Sequence, residues 1–166
     1  MASGKLPEDI KQECIWIVRG YERRRRAYME ARRDAMEIGG GPSYTTYTKL
    51  IRKGTKEETE ERRAFMPHTA GGVSRDVEAR EERLEAIEAA PDTQRMKAVE
   101  YALGRVGEGL PGPGREKLRQ AVMLNCVSGR KHPYERLGLD IVSREDFYRK
   151  HRARFLCDIA KFLGLF

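Results

Sequence analysis

This chain has little of what builds disulfide frameworks, metal sites or membrane spans. Its three cysteines, Cys14, Cys126 and Cys157, are odd in number and far apart. Each sits in an apolar helical pattern, which favours buried reduced thiols over disulfides or metal ligands. The three histidines, His68, His132 and His151, fall in no spacing that a metal site needs. No glycine-rich phosphate loop and no nucleophile–base pair stands out, and carboxylates such as Glu81 and Glu82 read as solvated helix surface. No catalytic residue, metal or cofactor is therefore expected, and the chain does not read as an enzyme. The longest apolar run near the start, Cys14 to Val18, is embedded among charges, so a secretory signal peptide is not expected. No stretch approaches the roughly 20 apolar residues of a membrane span. A cytoplasmic location without a membrane partner follows. Sustained two-residue alternation is also missing, so no sheet is expected and the fold class is all-α.

What is present is charge. Charged residues make up 36% of the 166 and hydrophobic residues 39%, so the core must be assembled from a few concentrated stripes. The net charge is +7, which favours anionic partners such as nucleic acid. The excess is uneven. Between Gly112 and Arg154 there are eleven Lys or Arg against five Asp or Glu, a surplus of six.

Residues 1–38 read as one long amphipathic helix. Steps of four and three from Ile10 give Cys14, Ile17, Tyr21, Arg24, Tyr28, Ala31, Ala35 and Ile38, with only Arg24 breaking the apolar seam. A 3.5-residue repeat of this length has to be covered by another helix. The cover is either a second copy of the chain, making a homo-oligomer through Ile10–Ile38, or the chain's own Val77, Leu84 and Ile87. The run Arg23 to Arg26 circles the helix and reads as solvated surface. Gly39-Gly40-Gly41-Pro42 stops the helix, and residues 39–73 read as a flexible linker whose apolar pairs are isolated. Residues 74–166 read as a helical domain. Its helices run from Ser74 to Ala90, from Asp92 to Val106 (stripe Met96, Val99, Leu103, Val106) and from Arg115 to Val127 (stripe Leu118, Ala121, Val122, Cys126).

The tail is the most informative part. Pro133 to Gly138 suggests a short helix, Leu139 to Val142 a connection, and Ser143-Arg144-Glu145-Asp146 a capping pattern that opens the final helix. Along that helix Phe147, His151, Phe155, Ile159 and Leu163 form an inward ladder, with His151 at the core edge. Glu145, Arg149 and Arg152 share the opposite face, flanked by Arg144 and Tyr148. Short helix, turn and capped basic helix, spanning about 133–163, is the pattern of a helix-turn-helix reader of double-stranded DNA. The expected DNA-binding residues are Ser143, Arg144, Tyr148, Arg149 and Arg152 on the recognition helix, with Arg130, Lys131 and Arg136 as phosphate contacts.

The ending Ser143-Arg-Glu-Asp-Phe-Tyr-Arg-Lys-His-Arg through Leu163-Gly164-Leu165-Phe166 resembles that of the RinA/ArpU-type phage transcriptional regulators, which carry a helix-turn-helix similar to region 4 of sigma factors. The likeness covers about Leu118 to Phe166. It departs at Leu139 to Val142, where sigma-like domains have a tighter turn before the capping serine. The resemblance implies regulation of late phage or prophage genes in a bacterial host, with the N-terminal helix serving self-association or a contact to RNA polymerase. Two rivals share the same features. A small-terminase-like packaging protein would also join a helix-turn-helix to an oligomerising helix, and a helical protein-interaction module would use the seam alone.

Overall fold

The computed structural model describes residues 5–38, 43–53, 56–66, 70–129 and 142–166, with side chains over 5–38, 75–129 and 142–166. The fold class is all-α. Five longer helices come first: α1 (Glu8–Arg19), α2 (Tyr21–Glu37), α3 (Ala70–Ala89), α4 (Pro91–Arg105) and α5 (Gly112–Ser128). The terminal helix is composite. It opens with α6 (Arg144–Asp146), passes through a π-helical segment (Phe147–Arg152) and continues as α7 (Ala153–Phe162).

One element departs from the expectation of no sheet. Within the stretch read as linker, β1 (Ser43–Lys53) and β2 (Lys56–Met66) form an antiparallel pair in register from Ser43↔Met66 to Lys53↔Lys56. The threonines and tyrosines of β1 suit an extended ladder. Period-two alternation is a sign of one apolar and one polar face, and these two segments hold too few apolar residues to show it.

The chain divides into two bodies, one made of Met1–Tyr28 with Glu88–Phe166 and the other of Met29–Ile87. In the first, α1 shares one core with α4, α5 and the terminal helix, so it is not a separate appendage. Cys14, Ile17 and Val18 from α1 join Val99, Leu118, Val122, Phe147, Phe155 and Ile159, all within 1% of complete burial. Each such large side chain contributes on the order of 1.5–3 kcal/mol. The stripes expected for α4 and α5 are the ones buried: Met96, Val99 and Val106 on α4, with Leu103 packed beside them, and Leu118, Ala121, Val122 and Cys126 on α5.

The seam from Ile10 to Tyr28 is real, but the chain's own α4, α5 and α7 cover it. Neither a second copy nor the Val77 stripe is needed for that half. Arg24 is buried with the rest. Its Nε donates to Asp92 at 3.1 Å, its Nη1 donates to the Ile17 carbonyl at 2.8 Å, and its guanidinium lies 4.9 Å from the centre of the Trp16 ring. Asp92 also receives Arg95 at 3.2 Å, and the hydrogen bond from Arg24, aided by Arg95, holds its carboxyl below the ordinary value.

This arrangement explains why the expected single helix is two. At Gly20 the helix breaks, and a Cβ built there would lie 2.4 Å from Arg24 Nη1. The last carbonyls of a helix lack intrahelical donors, and Arg24 supplies one of them. Only glycine leaves room for the guanidinium to reach it.

In the second body, Ala35 of α2 and Ile87 of α3 are buried, while Val77 and Leu84 are half-buried. The stripe expected on α3 is therefore turned away from solvent to different degrees along its length.

Candidate functional site

The terminal helix is opened by Ser143, as its capping pattern predicts. The Asp146 backbone N–H donates to Ser143 Oγ at 3.1 Å. Lys150, 2.7 Å from Asp146 Oδ1, and secondly hydrogen bonding with Ser143 hold the Asp146 carboxyl below its ordinary range. Acidic side chains in a first turn complement the partial positive charge of the helix start.

Behind the cap the helix winds as π over Phe147–Arg152, which inserts one extra residue. The insertion has a geometric consequence. In a regular α-helix, Phe147 and Phe155, eight residues apart, would lie about 80° apart around the axis. Removing roughly 100° for one inserted residue brings them to within about 20° of each other. Phe147, Phe155 and Ile159 are accordingly all buried, with Leu156 and Ala160 beside them and Leu163 packed at the edge. His151 is half-buried, as expected for a core-edge histidine. Burial lowers its pKa from the ordinary 6.5, with Lys150 and Arg154 acting in the same direction and Asp146 opposing.

The terminal helix divides the residues expected to read DNA. Arg144 is exposed and makes no ion pair among the described residues. Arg149 is also exposed, its side chain 76% accessible, and is paired with Glu145 at 2.6 Å. Lys150, 73% accessible, shares this outer surface although the α-helical periodicity had not placed it there. Tyr148 and Arg152 turn inward instead. Tyr148 is half-buried, sits edge-on to Phe147 at 5.1 Å, and accepts a hydrogen bond from Asn125 Nδ2 of α5 at 3.4 Å. Arg152 is half-buried against Cys126, and its Nε is enclosed with no hydrogen-bond partner among the described residues. The thiol of Cys126 is pushed up by burial, against the opposing influence of Arg152 and Arg19. The phosphate contacts expected at Arg130, Lys131 and Arg136, and the first helix of the helix-turn-helix at 133–138, lie outside the described residues.

Immediately before that stretch, α5 is closed by Gly129 in the left-handed conformation, φ 64°. Arg19 reaches across from α1 and donates from Nε to the Cys126 carbonyl at 3.3 Å, and a Cβ at Gly129 would lie 2.7 Å from its Nη2. Glycine is required here both by φ and by the close approach of the arginine.

Alongside the terminal helix runs a groove of about 930 Å³. Lys5 and Lys11 line it from the start of α1, Arg105 from α4, and Arg149, Lys150, Arg152, Arg154 and Lys161 from the terminal helix. Among the described residues, Glu8 and Asp158 are its only acidic lining residues. Glu8 is held by Lys11 at 3.0 Å and Gln12 at 2.9 Å, and the buried Asp158 by Arg105 at 3.3 Å and Arg154 at 3.9 Å. Sequence reasoning missed the contributions of Lys5, Lys11 and Arg105, because nothing in the order of residues brings the two ends of the chain together. Lys150 and Arg154 were visible only as part of a basic run, to which the periodicity assigned no face.

No protein family, curated protein or solved structure matches the chain.

Proposed function

We propose that this chain binds duplex DNA in a sequence-specific manner and regulates transcription, with the helix that starts at Ser143 docking in the major groove. The observation that carries the reading is a capped helix whose start exposes Arg144, Arg149 and Lys150 while its other side is locked into a core by Phe147, Phe155 and Ile159. A reading helix needs both properties, because side chains discriminate bases only when the backbone beneath them is held still. Arginine can make two hydrogen bonds to a guanine edge, worth about 1–3 kcal/mol of discrimination per good pair. Glu145 does not stand in the way. An exposed pair four residues apart contributes only about 0.3–0.5 kcal/mol, and once released the carboxylate can accept from cytosine.

Arg144 and Arg149 are the base-reading candidates in this arrangement. Tyr148 and Arg152, tied to α5, position the helix. The regulatory part of the proposal, control of late phage or prophage genes, rests on the resemblance of residues 143–166 to the RinA/ArpU-type regulators. A contact to RNA polymerase belongs to the same proposal. Self-association, if it occurs, draws on a surface other than Ile10 to Tyr28, whose apolar side is used within the chain.

The test is selection of bound duplexes from a random DNA pool, repeated with Arg144→Ala and Arg149→Ala. A reproducible motif that relaxes at one or two base pairs in the variants supports the reading. Salt-sensitive binding without any enriched motif points to a packaging role, and absence of duplex binding overturns the proposal and leaves a protein-interaction module.

A further inference from the structure

The groove beside the terminal helix joins the two ends of the chain, and its charge is out of proportion to its size. Eight cationic side chains line it against Glu8 and Asp158, and both of those acids are already engaged by neighbours. Lys5 and Lys161, at opposite ends of the sequence, are exposed and make no ion pair among the described residues. Arg152 lines the same groove with its Nε enclosed and without a hydrogen-bond partner among those residues.

The shape suits a polyanion better than a small ligand. Pockets for small molecules are mostly apolar and enclose what they bind, with few charged groups. This groove instead follows the terminal helix from Tyr148 to Lys161, a length of about 20 Å at 1.5 Å per residue. That is several nucleotide steps at the roughly 3.4 Å rise of one DNA strand.

We propose that the groove carries a stretch of the sugar–phosphate backbone of bound duplex DNA, with Lys5 from the segment before α1 and Lys161 from the end of the terminal helix gripping phosphates that flank the bases read by Arg144 and Arg149. The inference rests on the DNA-binding reading above and extends the interface to the N-terminal segment. It gives the start of α1 a second role besides its place in the core. Backbone contacts of this kind set position and affinity but carry no sequence information, so the two sets of residues separate in experiment.

The experiment is fluorescence anisotropy with the duplex enriched from the random pool and a scrambled duplex of equal length, each across a range of salt. The full chain is compared with the double variant Lys5→Ala/Lys161→Ala, with Lys5→Arg/Lys161→Arg, and with Arg144→Ala/Arg149→Ala. Both lysines are exposed, and circular dichroism checks that the fold is kept. The expected result is a slope of log affinity against log salt that falls by about 2 in the double alanine variant. Enriched and scrambled duplexes should weaken alike, and the arginine replacements should keep the slope. The Arg144→Ala/Arg149→Ala variant should instead lower the ratio between the two duplexes. A wild-type protein that binds DNA, with a double alanine variant of unchanged slope and affinity, overturns the inference and leaves the reading helix intact. Failure of the wild type to bind duplex DNA at all overturns both.

Discussion

The Gly20 junction and the π-helical segment are both interruptions of regular α-helix, and each draws inward an arginine that the sequence pattern leaves outside or on a functional face. What surrounds the two arginines differs. Arg24 is engaged by the Asp92 carboxylate, the Ile17 carbonyl and the face of Trp16, while its Nη2 is enclosed without a hydrogen-bond partner among the described residues. Arg152 rests against Cys126 at one end, keeps an unpartnered Nε, and borders a groove rich in positive charge. Each keeps one enclosed nitrogen without a partner, so the difference lies in the bonds that are made: Arg24 holds a carboxylate and a carbonyl, Arg152 a thiol.

The sharpest way to break this comparison is to remove each arginine in turn. Arg24→Met should cost about 2–3 kcal/mol in urea unfolding, because a charged hydrogen bond to a carbonyl and an ion pair are lost together. Arg152→Met should cost less than about 1 kcal/mol. Equal losses would erase the distinction. Next in size is Gly20→Ala, whose new methyl collides with the Arg24 guanidinium and should cost about 1–2 kcal/mol. Combined with Arg24→Met, the same alanine should become neutral or stabilising by up to about 1 kcal/mol, since alanine is the better helix former. A purely additive double variant would show that Arg24 is not what requires the glycine.

Ser143→Ala should cost about 1 kcal/mol through loss of the cap, and amide hydrogen exchange should accelerate first at Asp146 and Phe147. The two regions should also respond to acid differently. The carboxyl of Asp92 titrates below its unfolded value of about 3.8, so the stability it contributes is present above that pH and is lost as pH falls through the lower, folded value. Asp92→Asn should therefore flatten the acid limb of a stability–pH profile below about pH 4. The smallest effect belongs to His151. Its pKa is depressed below 6.5, so the contribution of the neutral ring is complete above that pH and is lost as pH falls through the folded value. Its imidazole signals in a nuclear magnetic resonance titration should move at a pH below 6.5, and a midpoint at or above 6.5 would place the ring in solvent.

The helical stripes were legible because burial on one side of a helix repeats every three or four residues, a rule that α4 and α5 follow with Leu103 only partly buried. The cap at Ser143 was legible because it is a local bond between neighbours in sequence. The hairpin at Ser43–Lys53 and Lys56–Met66 was not, since its segments carry too few apolar residues to show a period. The seam from Ile10 was visible, but its cover was not, because a stripe states only that something must pack against it. Of the residues expected to touch DNA, Arg144 and Arg149 remain on the outer surface, while Tyr148 and Arg152 are half-buried, Arg152 through one inserted residue that no periodicity announces.

By itself, the order of residues determined the helical class, the apolar stripes, the capped start of the last helix and the surplus of positive charge. These follow from local propensity, short-range hydrogen bonds and composition, none of which depends on distant parts of the chain. The tertiary structure alone decided that α1 joins the C-terminal core, that Arg24 is enclosed beside Gly20, that the last helix takes a π turn, and that Lys5 faces the same groove as Lys161. Each of these depends on which surfaces meet, and that choice is made by packing among elements far apart in sequence.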